Sequence, residues 1–134
     1  MQDMAPIQQF VRQVLGCDCP DAVFRHIDWR ARVAPSAAAP YHCRLLVGRR
    51  LLVYLQQVDE VAQLQQRLAL MLARGREERD RAGLNRFRAV IASVDAHRLR
   101  AVGEALWAGL PGTDARTHLH LVALPQAAPL LTPR

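Results

Sequence analysis

Apolar residues near the N-terminus repeat with the period of an α-helix. They lie three or four residues apart and share one helical face: Ile7, Phe10, Val11, Val14 and Leu15. Pro6 suits the first turn of such a helix, and Gly16 is placed to end it in the left-handed conformation. We therefore predict a helix over residues 7–15 whose apolar face packs across a sheet.

The pattern then changes to one that is typical of strands. Residues 27–34 alternate between apolar and polar side chains, which predicts a half-buried strand. Residues 41–47 and 50–57 flank Gly48-Arg49, which is a suitable hairpin turn. The second arm of this hairpin contains a continuous apolar run, Leu51 to Leu55, and is predicted to be a central strand.

The second half of the chain alternates between helical and strand patterns. A helix is predicted from an N-cap at Asp59 to about Gly75, and a second one follows Asp95. Strands are predicted over residues 87–94 and 117–124. The order α-β-β-β-α-β-α-β predicts an α/β or α+β fold, a single layered domain over residues 1–124 with a mixed sheet of about five strands. Residues 125–134 are predicted to form a Pro/Ala-rich tail that is mobile unless it docks.

Composition supports one domain and indicates the cellular compartment in which we expect the protein. The chain has 134 residues with 51% hydrophobic content, enough for one core. It contains no apolar run of the ~18 residues that a membrane span needs, and the N-terminus lacks the continuous apolar segment of a secretory signal. With an odd number of cysteines as well, we expect a cytoplasmic protein with no membrane association.

The basic residues are all arginine. The chain has 18 basic side chains and no lysine, with a net charge of +6. A P-loop lysine and a Schiff-base lysine are therefore excluded. The only serines, Ser36 and Ser93, are not part of a G-x-S-x-G motif, and no glycine-rich phosphate loop occurs. The sequence thus carries no catalytic signature and favours a non-enzymatic protein.

Cys17-Asp18-Cys19-Pro20 is the local cluster that most suggests chemistry. Two thiols this close indicate a soft-metal or redox pair, although zinc sites more often use C-x₂₋₄-C. One intervening residue leaves little room for a relaxed disulfide. A metal, zinc or iron, would need further ligands, for which the candidates are Cys43, His42 and His26. The alternative is that both cysteines only pack against the helix, with no cofactor.

Residues 10–24 around this motif resemble the opening of small uncharacterised bacterial proteins that carry a C-x-C-P box. This resemblance implies a bacterial protein but no activity. The element order α-β-β-β-α-β in turn resembles the restriction-endonuclease-like fold, whose active site has a (D/E)-x-K pair on the third strand. Residues 50–57 contain neither a carboxylate nor a lysine. The second resemblance therefore implies a catalytically inactive relative at most.

Two further sets of residues could bind ligands. His118 and His120 are two apart on a predicted strand and share a face, as in strand-borne metal sites, although the lack of a nearby acidic residue favours a partly exposed sheet face. An arginine-rich run could bind phosphate or nucleic acid, and its members are Arg74, Arg76, Arg79, Arg81, Arg86 and Arg88. Acidic residues interleave this run, which favours a solvated helix end over a nucleic-acid surface.

These observations lead to three hypotheses. The first is a small accessory factor that uses Cys17 and Cys19 in metal or redox chemistry. The second is a nucleic-acid- or phosphate-binding module that uses the surface of residues 74–88. The third is a protein-interaction or dimerisation domain, including a catalytically inactive nuclease-like fold, with a second copy or another protein as partner.

Overall fold

The computed structural model describes residues 4–132. Helix α1 (Ala5–Gln9) continues directly into a π-helical turn (Phe10–Val14), and a 3₁₀-helix (Asp21–Arg25) follows. The remaining elements, in chain order, are β1 (Ile27–Arg30), β2 (Cys43–Val47), β3 (Leu51–Gln57), α2 (Val61–Ala82), β4 (Arg86–Ser93), α3 (Ala96–Ala108), β5 (Thr117–Ala123) and α4 (Leu124–Leu131). The predicted order of elements is confirmed, with α4 as an addition.

The five strands form one mixed sheet in the order β1-β2-β3-β4-β5. β1, β2 and β3 pair antiparallel, whereas β3, β4 and β5 pair parallel through the crossover helices α2 and α3. The prediction that the apolar run of Leu51 to Leu55 is a central strand is confirmed, because β3 lies in the middle and its side chains there are buried on both faces.

Helices cover both faces of the sheet, so the domain has three layers. One face packs against α2 and α3 around Phe87, Leu64 and Met71. The other face packs against α1, the π-helical turn and α4, with Phe10 and Val11 fully inside. The predicted N-terminal stripe therefore lies on a sheet, as its helical spacing requires.

The hairpin turn between β2 and β3 is also confirmed. Gly48 and Arg49 both have positive φ, 64° and 56°, and the Arg50 N–H donates to the Val47 carbonyl at 3.1 Å. Two successive left-handed residues define a type I′ turn, which matches the twist of the paired strands. The turn thereby fixes where β3 begins.

Two predicted boundaries of strands and helices were wrong. β1 ends at Arg30 instead of residue 34, because Arg32 takes a positive φ of 56° that extended chain cannot continue through. Helix α2 continues past Gly75 to Ala82 and ends where Gly83 adopts a φ of 68°. A β-carbon at Gly75 would collide with the Phe87 ring, so this glycine is a packing contact inside the helix and not its end.

The prediction of a Pro/Ala-rich tail also needs correction. Residues 124–131 form helix α4, which lies against the sheet with Ala127, Leu130 and Leu131 buried. The indole N–H of Trp29 donates to the Leu130 carbonyl at 3.2 Å and ties α4 to β1. The apolar side chains of α4 are three or four residues apart, a spacing that the prolines obscured. Residues 133–134 lie outside the described part of the chain.

Across residues 4–132, no helix combines the length and the apolar character that crossing a bilayer requires.

Candidate functional site

The Cys17–Cys19 segment is an ordered loop at the end of the N-terminal helix. Gly16 leaves the helix with a φ of 71°, and the Cys17 N–H donates back to the Val11 carbonyl at 3.0 Å. The left-handed ending that was predicted for Gly16 is confirmed. Pro20 then leads into the 3₁₀-helix, so the loop is fixed at both ends.

The two sulfurs are joined in a disulfide. Their Cα atoms are 5.4 Å apart, inside the range that disulfides span, so one intervening residue does not prevent the bond. Both cysteines are half-buried and pack against the edge of the core formed by the N-terminal helix. In the structure the pair therefore packs against the core as a disulfide.

Arg12 holds the backbone of this loop. Its Nη2 donates to the Cys19 carbonyl at 3.1 Å and to the carboxylate of Asp21, while its guanidinium lies over the Phe24 ring at 4.8 Å. The hydrogen bond and charge of Arg12 lower the pKa of Asp21. These contacts position the loop independently of the disulfide.

The disulfide lies in the wall of a cleft of about 460 Å³. This cleft is at the edge of the sheet where the parallel strands begin. Its lining residues are Gly16, Cys17, Asp18, Cys19, Pro20, Val23, Arg50, Leu51, Asn85, Arg86, Arg88 and His118. We refer to it as the arginine cleft, because three of the described residues that line it carry a guanidinium group and one, Asp18, carries a carboxylate.

Arginines of β4 lie against histidines of β5 beside this cleft. β4 and β5 pair in parallel so that Arg88 lies opposite His118. Arg86 Nη1 lies 2.9 Å from His118 Nε2, and Arg88 Nη1 lies 2.8 Å from His120 Nε2. Because guanidinium nitrogens only donate, both Nε2 atoms must accept, which requires neutral imidazoles protonated at Nδ1.

The surroundings keep these imidazoles neutral. Burial, followed by the charge of Arg88, lowers the pKa of both histidines, and that of His120 falls to about 4. Arg88 itself is half-buried, and its pKa is lowered by burial and by the charge of Arg86. Within residues 4–132, the Nε of Arg88 is buried and has no hydrogen-bond partner. The arginine cleft thus contains a partly desolvated cation whose side-chain neighbours do not neutralise it.

The predicted arginine surface is divided between two places. Arg86 and Arg88 belong to the cleft, whereas the other four are on α2. Arg79 is buried and pairs with Asp80 and Asp114. Arg74 and Arg81 both pair with Glu77, and Arg76 is exposed. The arginines that are close together along the chain therefore do not form one surface.

The predicted metal ligands do not come together. Cys43 is in the core, where burial raises the pKa of its thiol to about 12. His42 Nδ1 accepts from the Gln57 N–H at 3.1 Å, and His26 is exposed just before β1. Within residues 4–132, no group of three or more His, Cys, Asp or Glu side chains is placed to hold a metal ion.

Sequence reasoning missed Arg50 as a member of the site. It directly follows the Gly48-Arg49 turn, so it stands at the start of β3, and its carbonyl accepts from the N–H groups of Asn85 and Arg86. The signal was present, because parallel strands begin at the same edge of a sheet and Arg86 starts β4.

No protein family, curated protein or solved structure matches this chain in the comparisons made with known proteins. A function is therefore inferred from the geometry of the arginine cleft and its disulfide. In the restriction-endonuclease-like fold, metal-dependent hydrolysis relies on a carboxylate and a lysine on the third strand. β3 contains neither of these residues.

Proposed function

We propose that this protein is a small redox-linked accessory factor in which Cys17 and Cys19 alternate between disulfide and dithiol. The observation that supports the proposal is the position of the bonded sulfurs, which line a cleft together with Arg50, Arg86 and Arg88. A positive environment with access to solvent is the setting in which cysteine sulfur is reactive.

The fold does not depend on this bond. It closes a loop with a sequence separation of two. In the chain-entropy description, so short a loop contributes only about 1.5 kcal/mol of stability, roughly half of what a 15-residue loop contributes. The contacts of Arg12 hold the same loop without it. Reduction can therefore take place in the folded protein.

The electrostatics of the cleft favour the reduced pair as thiolate. Opening the bond places negative charge on sulfur, and guanidinium groups nearby stabilise that charge. Cys43 provides the contrast within the same chain, because burial raises its thiol pKa to about 12 and keeps it protonated. We expect Cys17 and Cys19, and not Cys43, to carry the thiol chemistry.

Redox titration of the full chain tests this proposal. Mass spectrometry after alkylation should show one disulfide that dithiothreitol opens while circular dichroism stays native. Its potential should lie above about −300 mV, since structural disulfides lie below that value. A Cys43→Ala variant is the matched control and should titrate identically. A bond that opens only when the protein unfolds would contradict the proposal.

A second function is supported by a different observation, the excess of guanidinium groups over carboxylates among the described residues that line the cleft. Arg50, Arg86 and Arg88 could contact the phosphates of a single-stranded nucleic acid. The double-logarithmic slope of affinity against salt would then be about −2 for three contacts and would fall to about −0.7 in Arg86→Gln/Arg88→Gln. Fluorescence anisotropy of a labelled oligonucleotide measures this.

The control for this second function uses the other half of the predicted run. Arg74→Gln/Arg81→Gln removes two arginines from α2, where both already pair with Glu77. That variant should bind with the slope of the unmodified protein. If it, and not the β4 variant, loses binding, the contact surface is on α2 and the cleft is not a phosphate site.

A further inference from the structure

The disulfide and the arginines share one cavity, and this arrangement restricts which reductant can react there. The loop of Gly16 to Pro20 lines this cavity together with Arg50, Arg86 and Arg88. The cavity, about 460 Å³, is within the size range of small-molecule sites. A ligand that reaches the sulfurs therefore also meets the guanidinium groups.

Arg88 is the half-buried arginine of the cleft, whereas Arg50 and Arg86 are exposed, and it is paired differently from the buried arginines Arg44 and Arg79. Arg44 pairs with Asp28 and Glu78, and Arg79 pairs with Asp80 and Asp114. Arg88 instead contacts His120 and, at 3.4 Å, the Leu15 carbonyl. A partly buried guanidinium without a carboxylate is unfavourable, so an anionic ligand in this place gains the attraction that a carboxylate side chain supplies elsewhere.

We propose that the arginine cleft binds anionic low-molecular-weight thiols, that is, thiols carrying at least one carboxylate, and that Cys17–Cys19 exchanges its disulfide with them. This substrate class rests on the proposed redox function of the pair. The carboxylate contacts Arg86 and Arg88, and the thiolate of the same molecule is directed at the sulfurs in the wall.

The exchange is balanced in two steps. The thiolate attacks one sulfur, a new S–S bond forms between ligand and protein, and the other cysteine sulfur leaves with the electron pair as thiolate. A second ligand thiolate attacks the ligand sulfur of the mixed disulfide, which releases the ligand disulfide and a second protein thiolate. Two ligand thiols are oxidised, one protein disulfide is reduced, and the two ligand protons are taken up by the cysteines or by solvent.

Reduction kinetics with three thiols of different charge test the substrate class. The oxidised full chain is treated with glutathione, with neutral 2-mercaptoethanol and with cationic cysteamine. Rates are compared per thiolate, because thiol pKa affects reactivity. We expect glutathione to react faster than 2-mercaptoethanol by about tenfold or more, and cysteamine to react more slowly than both. S-methylglutathione, which cannot react, should compete with glutathione only.

Variants assign the preference to the cleft. Arg86→Gln/Arg88→Gln should lower the rate with glutathione much more than the rate with 2-mercaptoethanol, so that the preference for glutathione is lost. Arg74→Gln/Arg81→Gln on α2 is the matched control and should retain the preference. A charge-retaining variant, Arg86→Lys/Arg88→Lys, should keep part of it. If Arg86→Gln/Arg88→Gln does not fold, the preference for glutathione is measured in the unmodified protein at increasing salt. Screening should abolish this preference near 1 M ionic strength.

The outcomes separate this inference from the proposed function. Equal rates per thiolate with all three thiols, or a preference that persists in Arg86→Gln/Arg88→Gln, would overturn the inference while the pair remains redox-active. A disulfide that neither these thiols nor dithiothreitol reduces in the folded protein would overturn the proposed function itself.

Discussion

Arg88 places a guanidinium half inside the protein, with imidazole as its side-chain partner in place of a carboxylate. The arrangement works only while His120 is neutral, because a protonated ring would repel the guanidinium and could no longer accept its hydrogen bond. Burial and Arg88 hold the pKa of His120 at about 4. The contact between Arg88 and His120 therefore depends on pH.

This coupling predicts a loss of stability in acid. In the unfolded chain His120 takes up a proton near its ordinary pKa of 6.5, whereas in the folded protein it resists until about 4. Between these values the unfolded state binds more protons, so the free energy of unfolding falls as the pH falls. His118, whose pKa is also lowered, acts in the same direction. Thermal unfolding measured across this window should show a declining Tm.

Replacing His120 identifies the source of the effect. His120→Gln removes the titrating group but retains an acceptor for Arg88, so the decline of Tm between about pH 6.5 and 4 should become shallower. His97 is exposed on α3, so His97→Gln serves as the control for the substitution itself. An equally steep decline in His120→Gln would show that other groups control acid stability.

At the scale of elements, the length of α2 is explained by a contact that its own sequence does not reveal. Past Gly75, Glu78 accepts from Arg44 on β2, at 3.0 Å to the Arg44 Nε, and from the hydroxyl of Tyr54 on β3 at 2.5 Å. Burial acts against the charged carboxylate, yet the hydrogen bonds of Arg44 and Tyr54 lower its pKa. The last turns of α2 are thus fixed to the sheet.

Replacing Glu78 should lower the free energy of unfolding far more than replacing the neighbouring Glu77. Glu78→Ala leaves the buried Arg44 with Asp28 alone, and loss of one partner of a buried pair costs about 3 kcal/mol or more. Glu77 pairs with Arg74 and Arg81 on the exposed side of α2, so Glu77→Ala should cost less than about 1 kcal/mol. Urea denaturation of both variants measures the difference, and equal losses would contradict the structural role of Glu78.

At the scale of the whole molecule, local patterns predicted the architecture because each element carries its own periodicity. The apolar stripe of the N-terminal helix, the Gly48-Arg49 turn and the continuous run in β3 each needed only neighbouring residues. Helix α4 and the last turns of α2 were not recognised, since the contacts that fix them, to Trp29 and Arg44, come from distant parts of the chain.

The sequence identified individual residues of the site but not their proximity. Cys17, Cys19, Arg86, Arg88 and His118 were all singled out along the chain, but as members of three unrelated groups. Their meeting depends on the parallel pairing of β4 with β5 and on the N-terminal helix lying over that end of the sheet. Strand order is a long-range property, so the sequence patterns could not show that these residues share a cavity.

The hydrogen bond between Trp29 and the Leu130 carbonyl spans 101 residues of chain. Because a ribosome delivers the chain from its N-terminus, the apolar face of α1 and the first strand emerge long before α4, the helix that packs beside them. The part of this sheet face that α4 covers therefore stays exposed until residues 124–131 have been made, and α1 with the π-helical turn covers the rest. Apolar surface left open in this way is a site at which nascent chains can associate before α4 docks.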